Sequence, residues 1–232
     1  MPKREDSARD RGPGAEVQDV RIAPLGLEGR LTLPPECRTL VLFAHGSGSS
    51  RFSPRNNYVA RALNAGGLGT LLFDLLLPEE EGDRAKVFDI ELLAERLLVA
   101  TGWLGEQPPT AGLALGYFGA STGAAAALVA ASRSPGEVCA IVSRGGRPDL
   151  AAEALPSVTA PTLLIVGGQD AQVLALNRAA LARLTCEKQL RVVPGATHLF
   201  EEPGALDAVI DLARDWLTDH LVGPSTRATP SR

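Results

Sequence analysis

The run Gly119-Ala120-Ser121-Thr122-Gly123 is where this chain could form a covalent bond. A serine hydroxyl is a weak nucleophile unless a base lies beside it. An apolar run over 113–118 leads into the turn, and an alanine-rich run to residue 130 leaves it. Strand, G-x-S-x-G turn and helix in that order make a nucleophile elbow with Ser121 at its apex. Gly119 and Gly123 carry no side chain to hold strand and helix apart, and Ala124, Ala125 and Ala126 extend that small surface. Thr122 would open the helix, where its N–H can meet a developing oxyanion.

Such a serine needs a base, and the chain has three histidines. His198 lies in a loop just past an apolar strand, where an imidazole can reach the apex. His45 opens the loop His45-Gly46-Ser47-Gly48-Ser49-Ser50, a position that suits bracing of the backbone. His220 falls on the inner side of the last helix near its C-terminus, where it complements the dipole. The base in turn needs a short acid to fix its tautomer. Asp170 follows a strand, four residues past Val166, and precedes His198; it could equally cap the helix that begins nearby. Asp74 also ends a strand but precedes the nucleophile. The acids within 79–83 read as a solvated surface. The order Ser121, Asp170, His198 is that of one triad class and not of the chymotrypsin or subtilisin orders.

A second oxyanion donor should come from the loop that opens at His45. The N–H of Ser47 is favoured, with Gly46 as the alternative. Three arginines fall on the same edge: Arg51 after that loop, and Arg144 and Arg147 after the strand that follows the elbow. Arg144, flanked by Gly145 and Gly146, is the candidate clamp for a substrate carboxylate or phosphate, because a guanidinium fork binds such groups through two hydrogen bonds. His45, Gly46 and Arg51 join it as candidate substrate-binding residues.

Elements that could bring these groups together alternate along the chain. Short strands at 17–22 and 30–33 suggest a leading hairpin. Apolar runs at 39–44, 69–73, 113–118, 138–143, 161–166 and 190–193 read as buried strands. Helices fit between them: one capped by Ser53 with Pro54 at its first position, one capped by Asp89, the alanine-rich helix, one over 173–184, and a last one with Leu206, Val209, Ile210, Ala213, Trp216 and Leu217 on its apolar face. This is an α/β pattern, a mostly parallel sheet with helices on both faces. Right-handed crossovers place every strand's C-terminal end on one edge, and the polar clusters sit at those ends. The 17 or so residues between Ser143 and Pro161 leave no room for a helical cap domain.

Composition bounds the rest. At 232 residues, 45% hydrophobic and 22% charged, the chain suits one globular domain. The expected division is a disordered tail over 1–16, one domain over 17–222 and a disordered tail over 223–232. A net charge of −4 and 4% aromatics argue against nucleic-acid binding. The first residues lack the apolar core of a secretory signal, and no apolar run is long enough to span a bilayer. The expectation is therefore a cytoplasmic protein without a membrane partner, monomer or homodimer. Cys37, Cys139 and Cys186 share no metal-ligand spacing, and no metal or organic cofactor is expected.

Taken together, FAHGSGSSRFSPRN, GYFGASTGAAAALVA, VSRGGRPDL, LLIVGGQD and PGATHLFEEPGAL resemble the α/β-hydrolase superfamily. Within it they are similar to the dienelactone-hydrolase-like group, and to a bacterial subgroup of hydrolases some of which are fused to a phosphoribosyltransferase domain. No such domain is expected in this sequence. The resemblance spans about residues 17–221. It implies Ser121 as nucleophile, Asp170 as acid, His198 as base, and Ser47 with Thr122 as oxyanion donors. Dienelactone hydrolases proper carry cysteine at the apex; this chain has serine. The function expected is cleavage of a carboxylic ester or related acyl bond in a small molecule, through an acyl-enzyme. The substrate would be anionic if Arg144 is a clamp, and not if the three arginines are solvated rim charges or partners for Glu79, Glu80 and Glu81. The same triad could serve an acyltransferase or thioesterase, and the same fold a non-catalytic scaffold that binds a partner.

Overall fold

The structure, a computed structural model, describes residues 14–222. Of the two expected tails, residues 1–13 and 223–232 lie outside the described residues.

Eight strands form one sheet in the order β1-β2-β4-β3-β5-β6-β7-β8. They are β1 (Glu16–Ile22), β2 (Leu27–Leu33), β3 (Thr39–Ala44), β4 (Gly69–Phe73), β5 (Ala114–Ala120), β6 (Val138–Arg144), β7 (Thr162–Gly167) and β8 (Lys188–Val193). β2 runs antiparallel to both of its neighbours, and the other pairs are parallel. The leading hairpin is longer than its apolar pattern suggests. β2 begins at Leu27, which pairs with Ile22 across a turn that the Gly26 N–H closes onto the Ile22 carbonyl at 2.7 Å, and Gly29 passes close beside Phe73 of β4.

Helices α1 (Pro54–Ala65), α2 (Arg84–Val87), α3 (Ile90–Glu106), α4 (Thr122–Arg133), α5 (Ala171–Arg183) and α6 (Ala205–Leu221) connect the strands. The expected caps are present. Ser53 accepts the Asn56 N–H at 3.3 Å, with Pro54 at the first helical position, and Asp89 accepts the Leu92 N–H at 3.0 Å. α3, α4 and α5 pack on one face of the sheet, and α1 and α6 on the other. The alanines of α4 are fully buried between sheet and α3, which lets the helix lie close to the strands. Trp216 and Leu217 of α6 close the opposite face. Only two short 3₁₀ turns, Pro148–Ala151 and Leu155–Ser157, intervene between β6 and β7, so the sheet edge carries no large cap. Among the described residues, no helix is long and apolar enough to cross a membrane.

The connection that matters most is at β3. From β3 the chain steps outward to β4, then returns to β5 on the other side of β3. That reversal opens a crevice between the C-terminal ends of β3 and β5, where ligands bind in open α/β sheets. Ala44 and Gly119 lie side by side at this point.

Candidate active site

Ser121 stands between β5 and α4 at φ 51° and ψ −119°. A non-glycine residue held there is strained, and such strain persists only when the surroundings over-determine it. Both flanking glycines do so. A Cβ on Gly119 would collide with the Ala124 Cα, and one on Gly123 with the Ala44 carbonyl oxygen. Further bonds fix the elbow: the Ser121 N–H donates to the Arg144 carbonyl at 3.3 Å, and the Ser121 carbonyl accepts the Arg147 N–H at 3.1 Å. The motif therefore adopts the strand–turn–helix context that its spacing predicts.

His198 and Asp170 come together as expected. His198 Nδ1 lies 2.7 Å from Asp170 Oδ2. A carboxylate only accepts, so Nδ1 carries the proton in this bond. Asp170 also fills the capping role: its Oδ1 accepts the Val173 N–H at the start of α5, at 3.4 Å. One residue thus has two fixed oxygens. The loops that carry this pair are stitched to each other. Gly168 N–H donates to the Val193 carbonyl and Gln169 N–H to the Ala196 carbonyl, both at 2.9 Å. Gly167 packs so closely under Ala196 and Thr197 that no side chain fits. Phe200, two residues on, is buried and anchors the loop. Ser121, Asp170 and His198 line one open hollow of about 250 Å³, with Arg147, Gln172, Val173 and Leu176.

The loop after β3 differs from expectation in its donors and in its histidine. Gly46 is placed as its type requires: an added Cβ would lie 3.0 Å from the Ser121 Cβ and 3.1 Å from the Ala120 carbonyl oxygen. The Ser47 N–H, expected to be a free oxyanion donor, instead donates to the Thr122 Oγ1 at 2.9 Å. His45, expected among the substrate-binding residues, turns both ring nitrogens to the protein. Its Nε2 accepts the Leu75 N–H at 3.0 Å, and Nδ1 faces the Gly46 carbonyl at 3.0 Å. Both ring nitrogens are occupied within the protein, which fixes a neutral tautomer that ties the loop to the segment just after β4. Burial lowers its pKa from the ordinary histidine value, against the opposing pull of the Gly46 carbonyl, Asp74 and Glu81.

Neither arginine expected as a substrate ligand lines the hollow that holds Ser121. Arg51 is paired with Asp74 and Glu28 and lies over the Phe52 ring. The strand ends of β3 and β4 are neighbours, which explains that pairing. Arg144 is 7% exposed. Its Nη2 donates to the Asn56 Oδ1 at 3.2 Å, and its guanidinium stands 6.0 Å from the Phe200 ring centre. Among the described residues it has no carboxylate partner, and burial, with Arg55 nearby, lowers its pKa to about 10. Strand alternation is the signal that places it: Arg144 shares a face with Ala140 and Val142, whose side chains pack toward α1 and α6. Arg147 is the arginine at the hollow, and its fork is held by Asp149 at 2.7 and 2.8 Å.

A second hollow, about 270 Å³, lies on the other side of the 46–48 loop. Leu76, Val87 and Leu93 line it, with Glu81 among its polar groups. The segment between β4 and α3 shapes it, and Glu80 is the anchor rather than part of a solvated surface. The residue is 7% exposed, and its carboxylate meets the Leu77 N–H, Lys86 and Arg96. Burial pushes its pKa up, but these three partners outweigh it and hold the carboxyl below the usual range.

Comparison with solved structures follows this geometry. The chain is 55% identical to a dienelactone hydrolase from Anabaena variabilis, covering 89% of this chain and 99% of that one with a TM-score of 0.87. It belongs to the dienelactone-hydrolase-like group of the α/β-hydrolase superfamily. The fold extends to the esterase Est1E of Butyrivibrio proteoclasticus, at 16% identity and a TM-score of 0.73, covering 90% and 99% of the two chains. Among curated proteins, a putative phosphoribosyl transferase of Mycobacterium tuberculosis is 61% identical over 219 residues, 94% of this chain and 49% of that protein. The chain spans about half the length of that relative. An uncharacterized protein of the same organism is 32% identical over 215 residues, 78% of this chain and 70% of that protein. No family model matches the chain.

Proposed function

We propose that this chain is a serine hydrolase that cleaves a small carboxylic ester through an acyl-enzyme. The observation that carries the reading is the 2.7 Å bond from His198 Nδ1 to Asp170, made in the hollow that the strained Ser121 lines. That bond leaves Nε2 as the base. In the reading, Ser121 Oγ attacks the acyl carbon as its proton passes to His198 Nε2. The carbonyl π electrons move to the oxygen, which the Thr122 N–H meets at the start of α4. On collapse, the alkoxide leaves with the proton from Nε2. Water then repeats the sequence and releases the acid. Asp170 holds the ring and stabilises its cation. The dienelactone hydrolase and esterase names of the structural neighbours support an ester as the bond attacked.

A panel of p-nitrophenyl esters of increasing chain length, with mass mapping of a fluorophosphonate adduct, tests this. Hydrolysis should occur with one adduct, on Ser121, and Ser121→Ala should abolish both. Turnover that persists in Ser121→Ala excludes the serine mechanism.

A further inference from the structure

The Thr122 side chain occupies a place that the elbow alone does not require. Its Oγ1 accepts the Ser47 N–H at 2.9 Å, and the residue is 3% exposed. A hydroxyl has one proton to give and two lone pairs. Among the described residues, the hydrogen bond found for this hydroxyl is one that it accepts, so its own proton is uncommitted. In mid-helix a threonine gives that proton to a carbonyl three or four residues back. Thr122 is the first residue of α4, and the residue four back is Phe118, inside β5. The residue is also shielded from solvent. Its backbone N–H, at the first helical position, has no intrahelical acceptor.

We infer that the Thr122 hydroxyl is itself an oxyanion donor, polarised by the Ser47 N–H behind it. This deepens the serine-hydrolase reading and rests on it. Two donors on one residue, N–H and O–H, would then meet the oxygen that forms when Ser121 attacks. The Ser47 amide contributes at one remove: by donating into Oγ1 it strengthens the bond that Oγ1 gives. No proton is transferred from Thr122 in this step. The Ser121 proton goes to His198, and the threonine keeps its own while sharing it with the alkoxide.

The test compares wild type with Thr122→Val, which keeps the shape and removes the hydroxyl, and with Thr122→Ser, which restores the hydroxyl. Two readouts are taken: kcat and KM on a p-nitrophenyl ester, and the second-order rate of Ser121 modification by a fluorophosphonate, whose phosphoryl oxygen enters the same site. Thr122→Val should lower kcat and the labelling rate by about 10²–10³-fold with KM within a few-fold, the scale of losing one oxyanion donor. Thr122→Ser should stay within about ten-fold of wild type. If Thr122→Val does not fold, Thr122→Ala gives the same readout without added bulk. Thr122→Val labelled as fast as wild type, or faster, overturns the proposal, because the hydroxyl then only covers the Ser47 N–H. Failure of wild type to form an adduct at Ser121 overturns the serine-hydrolase reading as well, so the two failures are distinguishable.

Discussion

Gly123 packs against the carbonyl oxygen of Ala44 with no room between them for a methyl group. The start of α4 and the end of β3 therefore form one unit, and the elbow cannot move without the 45–50 loop. Gly123→Ala must push these backbones apart. Overpacking usually costs about 1–3 kcal/mol, and here the contact is backbone on both sides, so the upper end applies. Thermal unfolding should show the loss, and activity on any ester that wild type cleaves should fall with it. A variant with unchanged melting and full turnover would mean that the elbow is more compliant than this contact allows.

Asp170 offers a separation of roles within one side chain. Asn keeps an oxygen for the Val173 N–H, so the cap on α5 survives. It replaces the other oxygen with a group that can donate to His198 Nδ1, which reverses the tautomer. Asp170→Asn should therefore melt within about 1 kcal/mol of wild type and lose about 10⁴-fold in kcat. Loss of stability without loss of kcat would assign Asp170 to the cap alone.

Arg144 is a buried cation held by a neutral amide rather than by a carboxylate. Replacing an uncompensated buried charge with an apolar chain of similar length removes a desolvation cost. Both variants strand the Asn56 oxygen; Arg144→Met should still be about as stable as wild type, whereas Arg144→Ala should lose about 2–4 kcal/mol more through the cavity it leaves. Neither should change the ratio of KM values for an anionic ester and its neutral methyl ester. A selective rise in KM for the anionic ester would restore the clamp.

The parts of the site that sit on strand ends were legible from residue order. Ser121 and Asp170 each follow a buried apolar run, and parallel topology brings those ends to one edge; His198 follows β8, read as buried but found at the sheet edge with only Val193 of its six residues buried. Contacts across elements were less legible. Nothing adjacent to Ser47 in the chain announces that its N–H will meet the Thr122 hydroxyl, 75 residues away. Glu80 lies in an acidic run that looks solvated, and Lys86 and Arg96 reach it only once α2 and α3 are in place. Arg144 was the readable exception: counting alternate residues from Val142 puts it on the α1 and α6 face.

His45 supplies a pH-dependent contribution to stability that is separable from any role in turnover. Its Nε2 must lack a proton to accept the Leu75 N–H, and burial holds its pKa in the fold below the ordinary value. In the unfolded chain a histidine titrates near about 6.5. Below that pH the unfolded state binds more protons than the folded state, so stability falls as pH falls. Above it both states are neutral and the contribution is fully present. The loss cannot exceed about 1.4 kcal/mol per pH unit from this one group. Gln at position 45 can offer an oxygen to the Leu75 N–H and does not titrate. Urea unfolding of wild type and His45→Gln between pH 5 and 8 isolates the effect, because His198, His220 and the carboxylates, Asp74 and Glu81 among them, are present in both proteins. The wild type should lose stability relative to His45→Gln as pH drops below about 6.5, and the difference should be flat above it. A difference that stays constant across the whole range would show that His45 keeps the same protonation state folded and unfolded, and the neutral-brace assignment would fail.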